Sequence, residues 1–181
     1  MKKHILFTTA LAALSMQVAA NPAQQTVDWV GIVPGSFLGS DIGIAAPDGG
    51  ELRQGLLLLE ESGVFGSTTI NARAFSLLED GSDIDPETPY PDAVNWYVDN
   101  MSIEHGGVEG NAYSNDLLEV YLDGNVVTEN ELVNTPAGAP NMTVSVSYSD
   151  VPTGKVTSLD RVRVTGMLFA EGAGGGLPLA R

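Results

Sequence analysis

The sequence predicts an all-β fold of the sandwich class, and three observations carry that prediction. Roughly eight or nine short runs alternate polar with apolar residues at hairpin-like spacing, the period of strands with one wet face. No run keeps the helical period long enough to make a convincing helix. Residues 117–122 and 125–128 are β-prone and joined by Asp123-Gly124, a dipeptide suited to the type I′ turn of a tight hairpin.

Taken in order, residues 1–20 read as an export leader. Lys2 and Lys3 make a positive start, residues 5–14 are mostly apolar, and Val18-Ala19-Ala20 supplies small residues before a cut ahead of Asn21. The apolar run is too short to span a bilayer. The first strand-like stretch of the mature chain is 26–34. One of its faces carries Val27, Trp29, Gly31 and Val33, with no polar member, and the other carries Thr26, Asp28, Val30 and Ile32. Pro34 closes the stretch because it has no N–H to give to a ladder.

Residues 41–46 and 56–60 read as strands separated by the turn Pro47-Asp48-Gly49-Gly50. In 67–78, Thr69, Asn71 and Arg73 alternate with Ile70, Ala72 and Ala74, while 75–78 is open between strand and a turn of helix. Residues 79–91, with three prolines and five carboxylates, read as a loop. Residues 94–103 read as a strand carrying Trp96 and Tyr97, broken by glycines at 106, 107 and 110. In 141–148, Met142, Val144, Val146 and Tyr148 share one face. In 161–170, Val162, Val164, Gly166 and Leu168 oppose Arg161, Arg163, Thr165 and Met167. The glycine-rich tail 171–181 has no periodicity.

Without the leader, 161 of the 181 residues remain, enough for one domain with a full core. Losing Lys2 and Lys3 leaves six basic residues against 23 acidic ones, a net charge of −17. A surface that acidic repels phosphate backbones, which argues against nucleic acid as a partner. Cysteine is absent, so the exported chain must hold together through core packing, main-chain pairing or a partner subunit rather than disulfides.

Order and spacing together resemble the pilins assembled by the chaperone-usher route, and within them the cysteine-free branch of colonisation-factor major subunits and the common pilus subunit. The likeness rests on the leader, the alternating segment closed by Pro34, the strand pair around Val120 to Gly124 continuing to Val127, and the alternating C-terminal strand from Val162 to Phe169. It implies an immunoglobulin-like sandwich lacking one strand, filled by the N-terminal segment of the next subunit. On that reading 21–34 is a donor-strand extension, 35–170 the pilin domain and 171–181 a tail, which runs past the point where such subunits usually stop. Val27, Trp29, Gly31 and Val33 become the subunit-interface residues. The implied function is a structural subunit of an extracellular fimbria that supports adhesion, exported through the periplasm to the cell surface. Its partners are copies of itself, a periplasmic chaperone and an outer-membrane usher, with no membrane insertion, catalysis, cofactor or metal. The residues themselves leave a second reading open, in which 26–33 is the first strand of its own closed sandwich, an exported module binding carbohydrate or calcium.

Other chemistry finds little support. His105 is the single histidine of the mature chain, reads as a surface residue, and cannot form a multi-histidine zinc site alone. Gly35-Ser36-Phe37-Leu38-Gly39 lacks the strand-turn-helix setting of a nucleophile elbow. Glu79, Asp80, Asp83, Asp85 and Glu87 lack the spacing of an EF-hand loop, so a solvated acidic loop is the default over a calcium site. Trp29 and Trp96 read as core residues before sugar platforms, and Gly172 to Gly176 has no helix after it to make a phosphate cradle.

Overall fold

A computed structural model describes residues 42–106, 108–109, 112–153 and 161–173. The stretch 26–34, with Val27, Trp29, Gly31 and Val33, lies outside the described residues, as do the leader and the tail beyond 173. The described chain is an all-β sandwich of two antiparallel sheets. The larger holds β1 (Ile42–Ala45), β2 (Leu57–Leu59), β3 (Phe65–Ser67), β4 (Ile70–Leu77), β5 (Ile84–Pro89), β8 (Glu119–Leu122), β9 (Asn125–Val127) and β11 (Asn141–Tyr148). The smaller holds β6 (Val94–His105), β7 (Val108–Glu109), β10 (Val133–Thr135) and β12 (Val162–Gly172).

The strand with the cleanest alternation, β11, is the axis of the larger sheet. It pairs with β8 along 144–147, with β4 along 141–144 and with β3 at 147–148. Its Met142, Val144, Val146 and Tyr148 are all buried, as a period of two requires of a strand with one face on the core. In the β8–β9 hairpin, Asp123 (φ 48°) and Gly124 (φ 77°) both take positive φ, the requirement of the type I′ turn. Asp123 also ties that turn to β11, its Oδ1 accepting from the Thr143 N–H and hydroxyl at 3.0 Å each. Trp96 is fully buried and gives its indole N–H to Thr135 Oγ1 at 3.1 Å. That bond satisfies the one polar atom of a large core residue.

β6 and β12 run side by side over nearly their whole length but fall out of step once, between Thr165 and Met167. Opposite Gly166, β6 carries an extra residue, with Asn100 at φ 51°. Such a bulge reverses which residues face inward. Before it Val94, Trp96 and Val98 are buried, and after it Ile103 and His105 are. This phase change corrects the expectation of a surface histidine: His105 is only 7% exposed, its ring edge-on to Tyr113 at 5.9 Å.

The acidic stretch expected as a loop also differs. Within 79–91 lies β5, paired irregularly with β4 through Leu77↔Ile84 and Phe75↔Pro89. An edge position tolerates Pro86 and Pro89, which have no N–H to donate. β5 lies over the outer side of β1: a Cβ on Gly43 would overlap Ile84, and one on Gly49 would sit 2.5 Å from Pro86 Cβ. The carboxylates there shape turns. Asp80 Oδ1 accepts from the Ser82 N–H and hydroxyl at 3.0 and 2.7 Å, and Asp85 accepts from the Glu87 N–H and Thr88 hydroxyl at 3.1 and 2.7 Å. The Ser82 hydroxyl, then its N–H, hold the Asp80 carboxyl below its ordinary value. Residues 75–77 are strand, β6 extends to His105, and the last strand runs two residues into the expected tail, to Gly172. A 3-10 turn occupies Asn115–Leu117, and β10 and β3, each three residues long, have no counterpart in the sequence reading.

Candidate functional site: the seam between β1 and β12

Two strand edges on the same side of the sandwich have no partner strand among the described residues. Among the described residues, β12 pairs only with β6 and β1 only with β4. β1 belongs to the larger sheet and β12 to the smaller, yet Cα atoms of the two come within 8 Å of each other. Alternate residues of an antiparallel strand turn their N–H and C=O groups to opposite neighbours. About half of the main-chain groups of β12 therefore point away from β6, toward the seam.

The side chains along the seam change character midway. Val162 and Val164, at the start of β12, are 1% and 0% exposed, but Leu168 and Ala170, on the same core face after the bulge, are only partly buried. Ile44 of β1 is likewise partly buried against the core. The sandwich is thus closed at one end of β12 and incompletely covered at the other. On the outward face of the same stretch, Phe169 stacks on Tyr97 at 4.8 Å with the rings 4° from parallel. Partial burial, then Glu171 and Asp99, raise the Tyr97 hydroxyl above its ordinary value.

The other sheet edges are blunted. β2, β9 and β10 are three residues long, and β5 carries two prolines and two carboxylates. Short edges, proline and charge are the usual protections against unwanted strand pairing. β12 has eleven residues, and its stretch 164–170 contains neither charge nor proline. Among the described strands it is the longest edge, and over 164–170 its one interruption is the irregularity at Gly166.

None of the four residues expected at the interface, Val27, Trp29, Gly31 and Val33, is among the described residues. Instead the partly buried apolar residues on the two strands are Ile44 on β1 and Leu168 and Ala170 on β12, none of them expected as a site from the sequence. The available signal was Met167-Leu168-Phe169-Ala170, apolar on both faces of a strand, as expected of a strand covered on both sides.

No protein-family model matches the chain, and comparisons with curated proteins and with solved structures also give no match.

Proposed function

We propose that the chain is a structural subunit of an extracellular fibre, polymerised by donation of the segment 26–34 of one subunit into the β1–β12 seam of the next. The observation that supports this reading is the edge of β12, uncharged over 164–170 and without a second partner strand among the described residues, beside the similarly placed edge of β1, with Ile44, Leu168 and Ala170 only partly buried. An edge of that kind is a template for strand addition, in which main-chain bonds supply affinity and alternate side chains supply specificity. The segment 26–34 has the complementary property, since one of its faces is wholly apolar. Each apolar side chain fully covered by insertion contributes about 1.5–3 kcal/mol. Repetition of one heterologous contact gives an open fibre when its rotation does not close a ring. No catalytic step is assigned.

The test is to compare the mature chain from Asn21 with a chain starting at residue 35, by size-exclusion chromatography and electron microscopy. The first should form concentration-dependent oligomers or fibres. The second should not polymerise, and should bind a synthetic peptide of residues 26–34. A mature chain that stays monomeric with a cooperative melt would favour the alternative, a closed sandwich in which 26–33 is the chain's own first strand.

A further inference from the structure

The outer face of the larger sheet carries a second feature, a groove of about 550 Å³ between β4, β11 and the segment that follows β1. None of its lining residues belongs to β1 or β12, so it does not depend on the seam or on the fibre reading. Its floor is two cross-strand pairs whose side chains face away from the core, Arg73 opposite Asn141 and Asn71 opposite Thr143. Ala72 and Met142, between them in sequence, are 1% exposed and point the other way. Arg53 and Asp48 also line the groove, as an exposed pair 4.0 Å apart.

Arg73 is the unusual member. Its Nε donates to Asn141 Oδ1 at 2.6 Å, and one terminal nitrogen donates to the Pro47 carbonyl at 3.1 Å. Two neutral acceptors therefore fix the guanidinium in place, and among the described residues no carboxylate pairs with it. Asp48 lies 4.0 Å from Arg53 and accepts from the Gly50 N–H at 3.2 Å, and Asp123 accepts from Thr143. Although the chain carries 23 acidic residues against eight basic ones, an arginine with no carboxylate partner among the described residues offers an anion a local charge-assisted contact. A planar carboxylate matches the fork of a guanidinium. The amides of Asn71 and Asn141 and the apolar atoms around them suit the hydroxyls and the C–H face of a sugar ring, and the groove has room for more than one ring.

We infer that this groove binds an acidic saccharide, with Arg73 holding the carboxylate, Asn71 and Asn141 binding ring hydroxyls, and Arg53 at the rim adding attraction. The ligand is a uronic- or sialic-type sugar unit, recognised by a carboxylate on a polyhydroxylated ring. If both readings hold, every subunit of a fibre presents one such groove.

The experiment is saturation-transfer NMR on the exported chain as recovered from cells, in whatever assembly state it adopts, since the method reads the small molecule. Glucuronate, glucose and acetate serve as probes. Transfer should reach the ring protons of glucuronate, with glucose about tenfold weaker and acetate a poor competitor, the size expected for losing one charge-assisted pair. Arg73→Gln should weaken glucuronate about tenfold and leave glucose unchanged. Because Arg73 also ties Asn141 to Pro47, circular dichroism accompanies that variant. Asn71→Ala and Arg53→Gln, which remove no such tie, should each weaken glucuronate severalfold. The inference is overturned by no transfer to glucuronate, by acetate competing as well as glucuronate does, or by unaltered binding in a folded Arg73→Gln chain. If Arg73→Gln does not fold, unaltered binding in both other variants overturns it.

Discussion

Met101 of β6 lies over Gly166 of β12, so close that a Cβ at 166 would overlap the Met101 sulfur. The two residues meet where the strands fall out of step, and the absent side chain on one strand makes room for the thioether of the other. Methionine suits the place because its unbranched side chain fills irregular gaps. Met101 therefore packs against the core at the point where the inward-facing set on β6 switches.

Gly166→Val should consequently destabilise the chain by about 1–3 kcal/mol, the usual cost of forcing extra atoms into a filled site. The effect should shrink in a Met101→Ala background, because the overlap would have lost its partner. A double-mutant cycle from urea denaturation measures this coupling directly. Equal losses in both backgrounds would mean that Gly166 matters for its backbone at the bulge and not for the space it leaves.

This bulge also separates what could be read in the sequence from what could not. The inward set of β11 and the Asp123-Gly124 turn are local: they depend on a period of two and on two residues able to take positive φ. The burial of His105 depends on the phase of β6 reversing at Asn100 and Met101 and on the strand running past 103, and nothing in the spacing of 94–105 announces an inserted residue. β5 was missed because prolines and carboxylates mark loops on average, while a strand at a sheet edge accepts both. The seam is less legible still. Which edges have no partner strand among the described residues follows from how distant segments pair, and the uncharged run at 164–170 is the one local hint.

Glu119 offers a test by pH. Its Oε2 accepts from the Tyr121 hydroxyl at 2.8 Å and the Ser147 hydroxyl at 3.0 Å. These bonds, Tyr121's first, hold the carboxyl below its ordinary value of about 4.5. A group whose folded pKa is depressed contributes stability that is fully present above the unfolded value and lost as pH falls through the folded one. The stability gap between the natural chain and Glu119→Gln should thus be constant near neutrality, and narrow as pH drops below about 4.5. Denaturation midpoints for both chains across that window supply the measurement. Because the two chains share every other carboxylate, the difference between them carries the result, and a gap that stays constant to low pH would remove Glu119 from the account.

Gly31 tests the register with which the segment 26–34 would enter the seam. If Val27, Trp29, Gly31 and Val33 face into a neighbour's core, the glycine falls where the groove has least depth, and a large side chain there must clash or lift the strand. Overpacking of a fitted site costs about 1–3 kcal/mol, and lifting the strand would in addition disturb main-chain bonds to the β12 edge. Gly31→Leu should therefore reduce fibre yield sharply and let unpolymerised subunit accumulate, while Asp28→Asn, on the opposite face, should be nearly silent. Fibre yield and the pool of free subunit, compared with the natural chain, measure both effects. Normal fibres from Gly31→Leu would leave two possibilities, an opposite register with Val30 and Ile32 inward or a strand that is not donated at all. Val30→Asp separates them: it blocks assembly in the opposite register, where a carboxylate would be buried without a partner, and leaves assembly intact if the segment never enters the seam.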